Sequence, residues 1–167
     1  MSLQMSYRRS MYRYIDDIIR NQDIAMLNSE VIISLLKGHK ILPTKQRVDI
    51  AAVLLSRPQH LSADQVLEAT NRNGARVSKA TVYNTLGLFA RKGLVNEVFV
   101  DSSKVFYDST TVPHHHVYNV DTGQLSDLDP STIEVAMLPE PPKGTVLDGI
   151  DIVVRVRNPR DISVKAG

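Results

Sequence analysis

Apolar residues recur at helical spacing in four consecutive segments of the central part of the chain. Each segment begins after a residue that favours a helix start and stops at or before a glycine or proline. The predicted start and end residues are Ser29 and Gly38, Thr44 and Pro58, Ser62 and Gly74, and Ser78 and Gly93. Gln65, three residues after Ser62, adds a capping box to the third segment. The pattern therefore predicts four short helices.

Two strand-like segments follow the fourth helix directly. Leu94–Val100 and Lys104–Tyr107 are rich in β-forming residues, and Asp101, Ser102 and Ser103 between them are typical of a hairpin turn. Helices followed by a hairpin predict a winged helix, in which the last helix before the wing enters the major groove of DNA.

The fourth helix offers polar and aromatic side chains on the face opposite its apolar stripe. Tyr83 and Asn84 are the predicted base readers, because a ring and an amide can contact thymine methyl groups and base edges. The candidate DNA-binding residues are Lys40, Lys45, Arg47, Ser78, Lys79, Thr81, Tyr83 and Asn84. From periodicity alone, an ordinary surface of a small helical domain explains these positions equally well.

The C-terminal part predicts a small α/β module. Strands are expected at residues 117–120, 124–128 and 149–157, with a turn at 121–123 and a short helix at Ser131–Leu138. An apolar face of this module would be available to a second copy, which predicts a homodimer. The expected fold class is α+β, with these divisions: an arm or extra helix at 1–28, a winged-helix DNA-binding domain at 29–109, a hinge at 110–116, a dimerisation domain at 117–158 and a frayed tail at 159–167.

Composition limits the class of protein and the chemistry. With 167 residues, of which 43% are hydrophobic and 23% charged, the chain is expected to be globular and cytoplasmic, without a membrane span or signal peptide. No cysteine is present, so any metal must be bound by His, Asp or Glu. No glycine-rich phosphate loop, nucleophile elbow or HExxH helix occurs, so an enzyme is not expected.

Charge is distributed unevenly along the chain. Residues 37–107 carry 11 Lys and Arg against 5 Asp and Glu, whereas residues 108–167 carry 5 against 9. A positive excess of this size favours a nucleic-acid partner only weakly, because binding needs a geometric cluster of charges. By charge alone, a solvated surface is the simpler interpretation.

Four motifs in order resemble the ferric uptake regulator family. They are HLSADQVL at residues 60–67, SKATVYNTLGLFARKGL at 78–94, KVFYD at 104–108 and PHHHVYNVDTGQLSDL at 113–128. The resemblance implies a transcriptional regulator, in particular a repressor, that binds palindromic operator DNA as a homodimer and controls iron or metal homeostasis. The three histidines followed by Val117, the lack of cysteine and LPEPPKG at 138–144 are most similar to the iron response regulator branch.

The resemblance also implies a regulatory metal site. His60, Asp108, His114, His116 and Asp127 occupy the family's ligand positions and would bind Fe(II), Mn(II) or Zn(II). Taken singly, His60 can be a turn cap, and Asp108 and Asp127 can be solvated loop ends. A second metal site is not expected, because Val117 replaces an acidic residue and no histidine follows His116. The family's four-cysteine structural zinc is likewise not expected.

His114, His115 and His116 also permit a haem site, since imidazoles are competent axial ligands. The same run can be an exposed hinge without a ligand, or an adventitious metal trap. Three other functions remain open: a peroxide-responsive regulator or a Mn- or Zn-responsive regulator of the same family, and a metal-buffering dimer that does not bind DNA.

Overall fold

The computed structural model describes residues 29–102 and 104–159. The predictions for the N-terminal arm at 1–28, for Ser103 and for the tail at 160–167 lie outside the described residues. The described chain divides into two compact units. The first contains residues 29–98 and 107–111, and the second contains 99–102, 104–106 and 112–159.

The first unit contains the four predicted helices. They are α1 (Ser29–Gly38), α2 (Lys45–Leu54), α3 (Ala63–Arg72) and α4 (Lys79–Arg91). Apolar side chains from each helix meet in one core whose fully buried members include Ile32, Leu36, Ile50, Leu54, Val66, Val82, Leu86 and Phe89. Burial of these side chains is the main stabilising contribution to the helices, each of which is too short to be stable alone.

Side-chain caps fix where two of the helices begin. The Ser62 amide donates to Gln65 Oε1 at 2.8 Å and the Gln65 amide donates to Ser62 Oγ at 3.3 Å, which confirms the capping box of α3. Ser78 Oγ accepts from the Thr81 amide at 3.1 Å and begins α4 in the same way. Each hydroxyl satisfies an amide that the helix leaves without a backbone partner.

The helices end in left-handed residues, but not always at the predicted ones. Gly74 and Gly93 adopt positive φ as expected, at 89° and 67°. After α1 the left-handed residue is Lys40, with φ of 58°, and not Gly38. The Ile41 amide reaches back to the Leu36 carbonyl at 2.8 Å, so the turn is of the Schellman type and closes on two buried side chains.

A three-stranded sheet completes the winged-helix elements. Its strands are β1 (His60–Ser62), β2 (Asn96–Asp101) and β3 (Lys104–Asp108), in the order β1-β3-β2. The hairpin of β2 and β3 is confirmed. The short strand β1 was not predicted, because the sequence around His60 and Ser62 is dominated by the helix start that follows it.

The second unit contains a sheet with the order β5-β4-β6. Its strands are β4 (His115–Asn119), β5 (Gln124–Leu128) and β6 (Val153–Val156); β4 pairs antiparallel with β5 and parallel with β6. The third strand is thus shorter than predicted, although its position is confirmed.

The predicted helix at Ser131–Leu138 is wrong: a short 3-10 turn at Pro130–Thr132 is followed by chain without regular structure. Asp129 accepts hydrogen bonds from the Ser131 amide at 2.9 Å and the Ser131 hydroxyl at 2.7 Å, which stabilise a turn and hold the pKa of Asp129 below its ordinary value. The prolines that follow Leu138 further disfavour a helix.

Between residues 29 and 159, the part of the chain that the structure describes has no helix with the length and apolar character of a membrane span.

Candidate functional site

Backbone pairing in the first unit brings His60 close to Asp108. Gln59 and Ser109 are joined by two bonds: the Ser109 amide donates to the Gln59 carbonyl at 3.2 Å and the Gln59 amide donates to Ser109 Oγ at 3.0 Å. The Gln59 side chain donates to the carbonyls of Val53 and Leu54, at 2.7 and 3.1 Å, and so caps the C-terminal end of α2. The end of α2 therefore fixes the position of the residue that follows, His60.

The His60 and Asp108 side chains are almost completely buried. The Asp108 carboxylate has no exposed surface and the His60 side chain is 8% exposed. Their Nε2 and Oδ1 atoms are 3.6 Å apart, while the same Oδ1 accepts from the Thr110 amide at 2.8 Å. A carboxylate removed from water requires compensating charge and hydrogen bonds. This environment differs from the solvated loop end considered for Asp108.

Strand register in the second unit places three further donors on one face of the sheet. His116 is directly opposite Asp127 in the antiparallel pair β4 and β5. His114 precedes β4, and its ring packs beside that of His116 and within 3.2 Å of Asp127 Oδ1, so it lies on the same side as both. His115 points to the opposite face, where its register partner is Leu128. The histidine run therefore consists of two donors on one face and one on the other.

The contacts of His114 favour a cation beside its ring. Nδ1 is 2.8 Å from the Val112 carbonyl, which can only accept, so Nδ1 is the donor. In a neutral ring Nε2 then has only a lone pair, yet it is 3.2 Å from Asp127 Oδ1. Two acceptors at this distance repel unless a proton or a metal ion lies with them. The His116 ring is adjacent, with its centroid 4.5 Å from that of His114.

Both histidine–aspartate pairs have a separation suited to a shared ion. Neighbouring ligand atoms bonded to one ion at about 2.0–2.2 Å lie about 2.8–3.6 Å apart in octahedral or tetrahedral coordination. The pairs His60–Asp108 and His114–Asp127 measure 3.6 and 3.2 Å. Imidazole and carboxylate donors form the N/O set that suits Fe(II), Mn(II) and Zn(II). The residues present thus fit a divalent metal.

Helix α4 exposes the two predicted base readers. Tyr83 is 44% exposed and Asn84 is also exposed, while Val82 and Leu86 are fully buried on the opposite face. Lys79 lies over the Tyr83 ring at 5.4 Å and pairs with Asp64 of α3 at 2.9 Å. The hydrogen bond from Lys79 to Asp64, together with the charge of that carboxylate, raises the pKa of Lys79. An extended, positively charged side chain is thereby held at the start of the exposed face.

The remaining DNA candidates differ in how freely they can reach a partner. Thr81 Oγ1 is 2.9 Å from Ser78 Oγ, so both hydroxyls already serve the N-terminus of α4. Lys45 pairs with Asp49 along α2 at 2.8 Å, and Arg47 donates to the Leu42 carbonyl at 3.0 Å. Lys40 is exposed in its left-handed turn.

Sequence reasoning missed the residues that support the site. Gln59, Ser109 and Thr110 position His60 and Asp108 through backbone contacts that no local pattern reveals. Tyr107, next to Asp108, was also not considered; burial, assisted by the Glu97 carboxylate, raises the pKa of its phenol. The only sign of these supporting residues in the sequence was a polar residue next to an expected ligand: Gln59 beside His60 and Ser109 beside Asp108.

Residues 37–140 match the sequence model of the ferric uptake regulator family. The chain belongs to this family. The family comprises transcriptional regulators, so the DNA-binding regulator class is confirmed and the enzyme alternative is excluded. The chain is 34% identical over 111 residues to the peroxide-responsive repressor PerR of Staphylococcus epidermidis. The aligned region covers 65% of this chain and 73% of that protein.

Solved structures of family members are similar to this chain. The ferric uptake regulator from Pseudomonas aeruginosa with manganese has a TM-score of 0.59 and 29% identity, covering 75% of this chain and 96% of that one. The Vibrio cholerae ferric uptake regulator has a TM-score of 0.62 at 23% identity, covering 75% and 98%, and supports the fold alone. The α+β fold class predicted from the sequence is thereby confirmed.

Proposed function

We propose that this chain is a metal-responsive repressor that binds palindromic operator DNA as a homodimer and controls genes of metal homeostasis. The observation that carries the proposal is the strand register of β4 and β5, which places His116 and Asp127 on one face, with the His114 ring beside both. Two imidazoles and a carboxylate on one side of the sheet are the donor types that bind divalent transition metals.

The resemblance to the family assigns the proposed regulatory ion to His60 and Asp108 of the first unit and to His114, His116 and Asp127 of the second. Fe(II), Mn(II) and Zn(II) are the candidate ions. When bound, the ion supplies the positive charge that the buried Asp108 and the His114–Asp127 pair favour. The Pseudomonas relative, solved with manganese, supports Mn(II) as a first probe.

A peroxide-responsive regulator is the second candidate. The similarity to the peroxide-responsive repressor of Staphylococcus epidermidis favours it. The same His and Asp donors serve both functions, so the two candidates differ in the signal and not in the location of the site. Exposure of the metal-loaded protein to hydrogen peroxide, followed by mass measurement of the His-containing peptides, distinguishes them.

Haem sensing and membership of the iron response regulator branch remain predictions with less support. His115 is on the opposite face of β4 from His114 and His116. The rings of His114 and His116 have centroids 4.5 Å apart, which leaves no room for a porphyrin between them as a pair of axial ligands. Haem would therefore need a single histidine from the run and a second ligand from elsewhere.

DNA recognition is assigned to α4 and the basic residues before it. Tyr83 and Asn84 would read base edges, and Lys79 would contact phosphate on release from Asp64. Ser78 and Thr81 would present the N-terminus of α4, while Lys40, Lys45 and Arg47 are proposed as additional backbone contacts.

A homodimer is proposed to form through the second unit. Val154 and Val156 of the edge strand β6 are each 38% exposed, and Val146 and Met137 are exposed by 86% and 87%. Burial of this apolar surface against a second copy would stabilise the protein without a cysteine-bound zinc. A regulator of this kind acts in the cytoplasm, where we place it.

Titration of the metal-free protein with Mn(II) by calorimetry tests the site. His116→Ala removes a donor from the shared face and is expected to lower Mn(II) affinity at least tenfold, whereas His115→Ala, on the opposite face, leaves it within about twofold. Equal affinities in the two variants would show that the register does not define the ligands. Circular dichroism of both variants controls for folding.

A further inference from the structure

The distal wing, residues 99–102 and 104–106, belongs to the second compact unit. The sequence places this hairpin directly after α4, in the DNA-binding domain predicted to span residues 29–109. Contacts join the distal wing to other parts of the second unit. They come from three segments: strand β4, the turn between β4 and β5, and strand β6.

The first contact is a lysine held between two aromatic rings. Lys104 Nζ donates to the Tyr118 hydroxyl at 3.2 Å and lies 5.4 Å from the ring centroids of both Phe106 and Tyr118. The two rings pack together with centroids 6.1 Å apart and a tilt of 59°. Phe106 and Tyr118 are buried, so the cation is partly removed from water and its attraction to the rings is correspondingly stronger.

Two further contacts surround this cluster. The Arg155 guanidinium of β6 donates to the Val100 carbonyl of the wing strand β2. Gly123, in the turn after β4, has φ of 69°, and a Cβ at this position would be 2.9 Å from Lys104 Nζ. The positive φ favours glycine in this turn, and a side chain here would make the Lys104 ammonium move from its present position.

Tyr118, which binds Lys104, lies on the same strand as the candidate metal ligand His116. Tyr118 follows His116 by two positions in β4, so their side chains share a face, and each residue is 6% exposed. A strand displacement that brings His114 and His116 onto an ion displaces Tyr118 as well, because well-packed elements move as units.

We propose that Lys104 and Tyr118 are positioning residues that make the distal wing follow strand β4, so that metal binding by the histidines alters how the wing meets DNA. This inference rests on the proposed function, since it assumes that the histidines bind the regulatory ion. The role is transmission: neither residue is assigned to the metal site or to a base contact.

Two measurements on the full chain test the proposal with Tyr118→Phe, which keeps the ring and removes the hydroxyl that Lys104 binds. Hydrogen exchange of the metal-free protein should show faster exchange in the distal wing, by about threefold to tenfold, with unchanged exchange in α2 and α4. Lys104→Met, which keeps the aliphatic stem, should reproduce the effect. Tyr107→Phe removes the phenol that contacts Glu97 in the same hairpin and leaves the Lys104–Tyr118 bond in place, so it serves as the matched control.

The second measurement is the ratio of dissociation constants for an AT-rich palindromic duplex without and with Mn(II). For the wild type we expect a ratio within the usual allosteric range of about 5 to 150. Tyr118→Phe should reduce this ratio about threefold or more while Mn(II) affinity stays the same.

The outcomes separate this inference from the proposed function. If the wild type binds DNA equally well with and without Mn(II), the proposed function is contradicted. The wing exchange rates then still decide whether Tyr118 holds the wing. If Tyr118→Phe has the same wing exchange rates and the same Mn(II) response as Tyr107→Phe, the inference is overturned. This holds even if the wild type responds to Mn(II).

Discussion

Lys40 adopts a left-handed backbone conformation that usually favours glycine. Among the described residues it is the one non-glycine with positive φ, at 58°. A side chain in this region costs about 1–2 kcal/mol relative to glycine, because its Cβ crowds the following carbonyl oxygen. The turn is nevertheless kept, since it closes α1 on the buried Ile41 and Leu36 side chains.

Lys40→Gly is therefore expected to be more stable than Lys40→Ala by about 0.5–1 kcal/mol in urea denaturation, the entropy of the unfolded glycine offsetting part of the gain. Both variants lack the charge, so their difference measures the backbone alone. If Lys40 contacts phosphate, both should bind DNA more weakly than the wild type and to the same extent. A glycine variant no more stable than the alanine variant would show that the turn is not strained.

The candidate ligand residues could be named from the sequence, but their environment could not. His60 was weighed as a turn cap and Asp108 as a solvated loop end, whereas the structure buries both and separates Nε2 from Oδ1 by 3.6 Å. Their burial depends on the pairing of Gln59 with Ser109, 50 residues apart. Contacts of this range leave no periodic signal in a single sequence.

At the scale of the elements, helix starts were the most predictable features. Ser62 and Ser78 begin α3 and α4 as expected, because capping depends on residues within three positions of each other. Local contacts also explain why the predicted helix at Ser131–Leu138 does not form. The turn at Asp129 and the prolines after Leu138 outweigh a weak apolar pattern. Strand β1 was missed because its three residues pair with a distant partner, β3.

The two caps provide a matched pair for testing DNA contact by α4. Ser62→Ala and Ser78→Ala should each lower the free energy of unfolding by about 1 kcal/mol, since each leaves one helix amide without its cap. Ser78→Ala should in addition weaken binding to the AT-rich duplex about threefold or more, measured by fluorescence anisotropy. DNA affinities lowered equally by both variants would assign the effect to stability and remove Ser78 from the interface.

At the scale of the whole molecule, the proposed dimer depends on apolar packing. The chain contains no cysteine, and the exposed apolar side chains of the described residues are concentrated in the second unit. The divalent ion is assigned to regulation and not to assembly. Dimerisation and metal binding should therefore be independent.

Sedimentation velocity with and without EDTA tests this independence. We expect the same dimer in both conditions, because the chain has no cysteine with which to bind the structural zinc of the family. Conversion to monomer on chelation would show that the metal holds the dimer together. Val154→Asp and Val156→Asp, which place charges on the exposed edge strand, should produce monomer regardless of metal.

The most direct test of the central claim is the anisotropy of a labelled AT-rich palindromic duplex titrated with the metal-free protein, at fixed salt, with and without Mn(II). We expect Mn(II) to raise DNA affinity at least about fivefold in the wild type and in His115→Ala, but not in His116→Ala. A parallel titration with haem tests the iron response branch. DNA affinity that is independent of Mn(II), or a response that survives His116→Ala, would contradict the account.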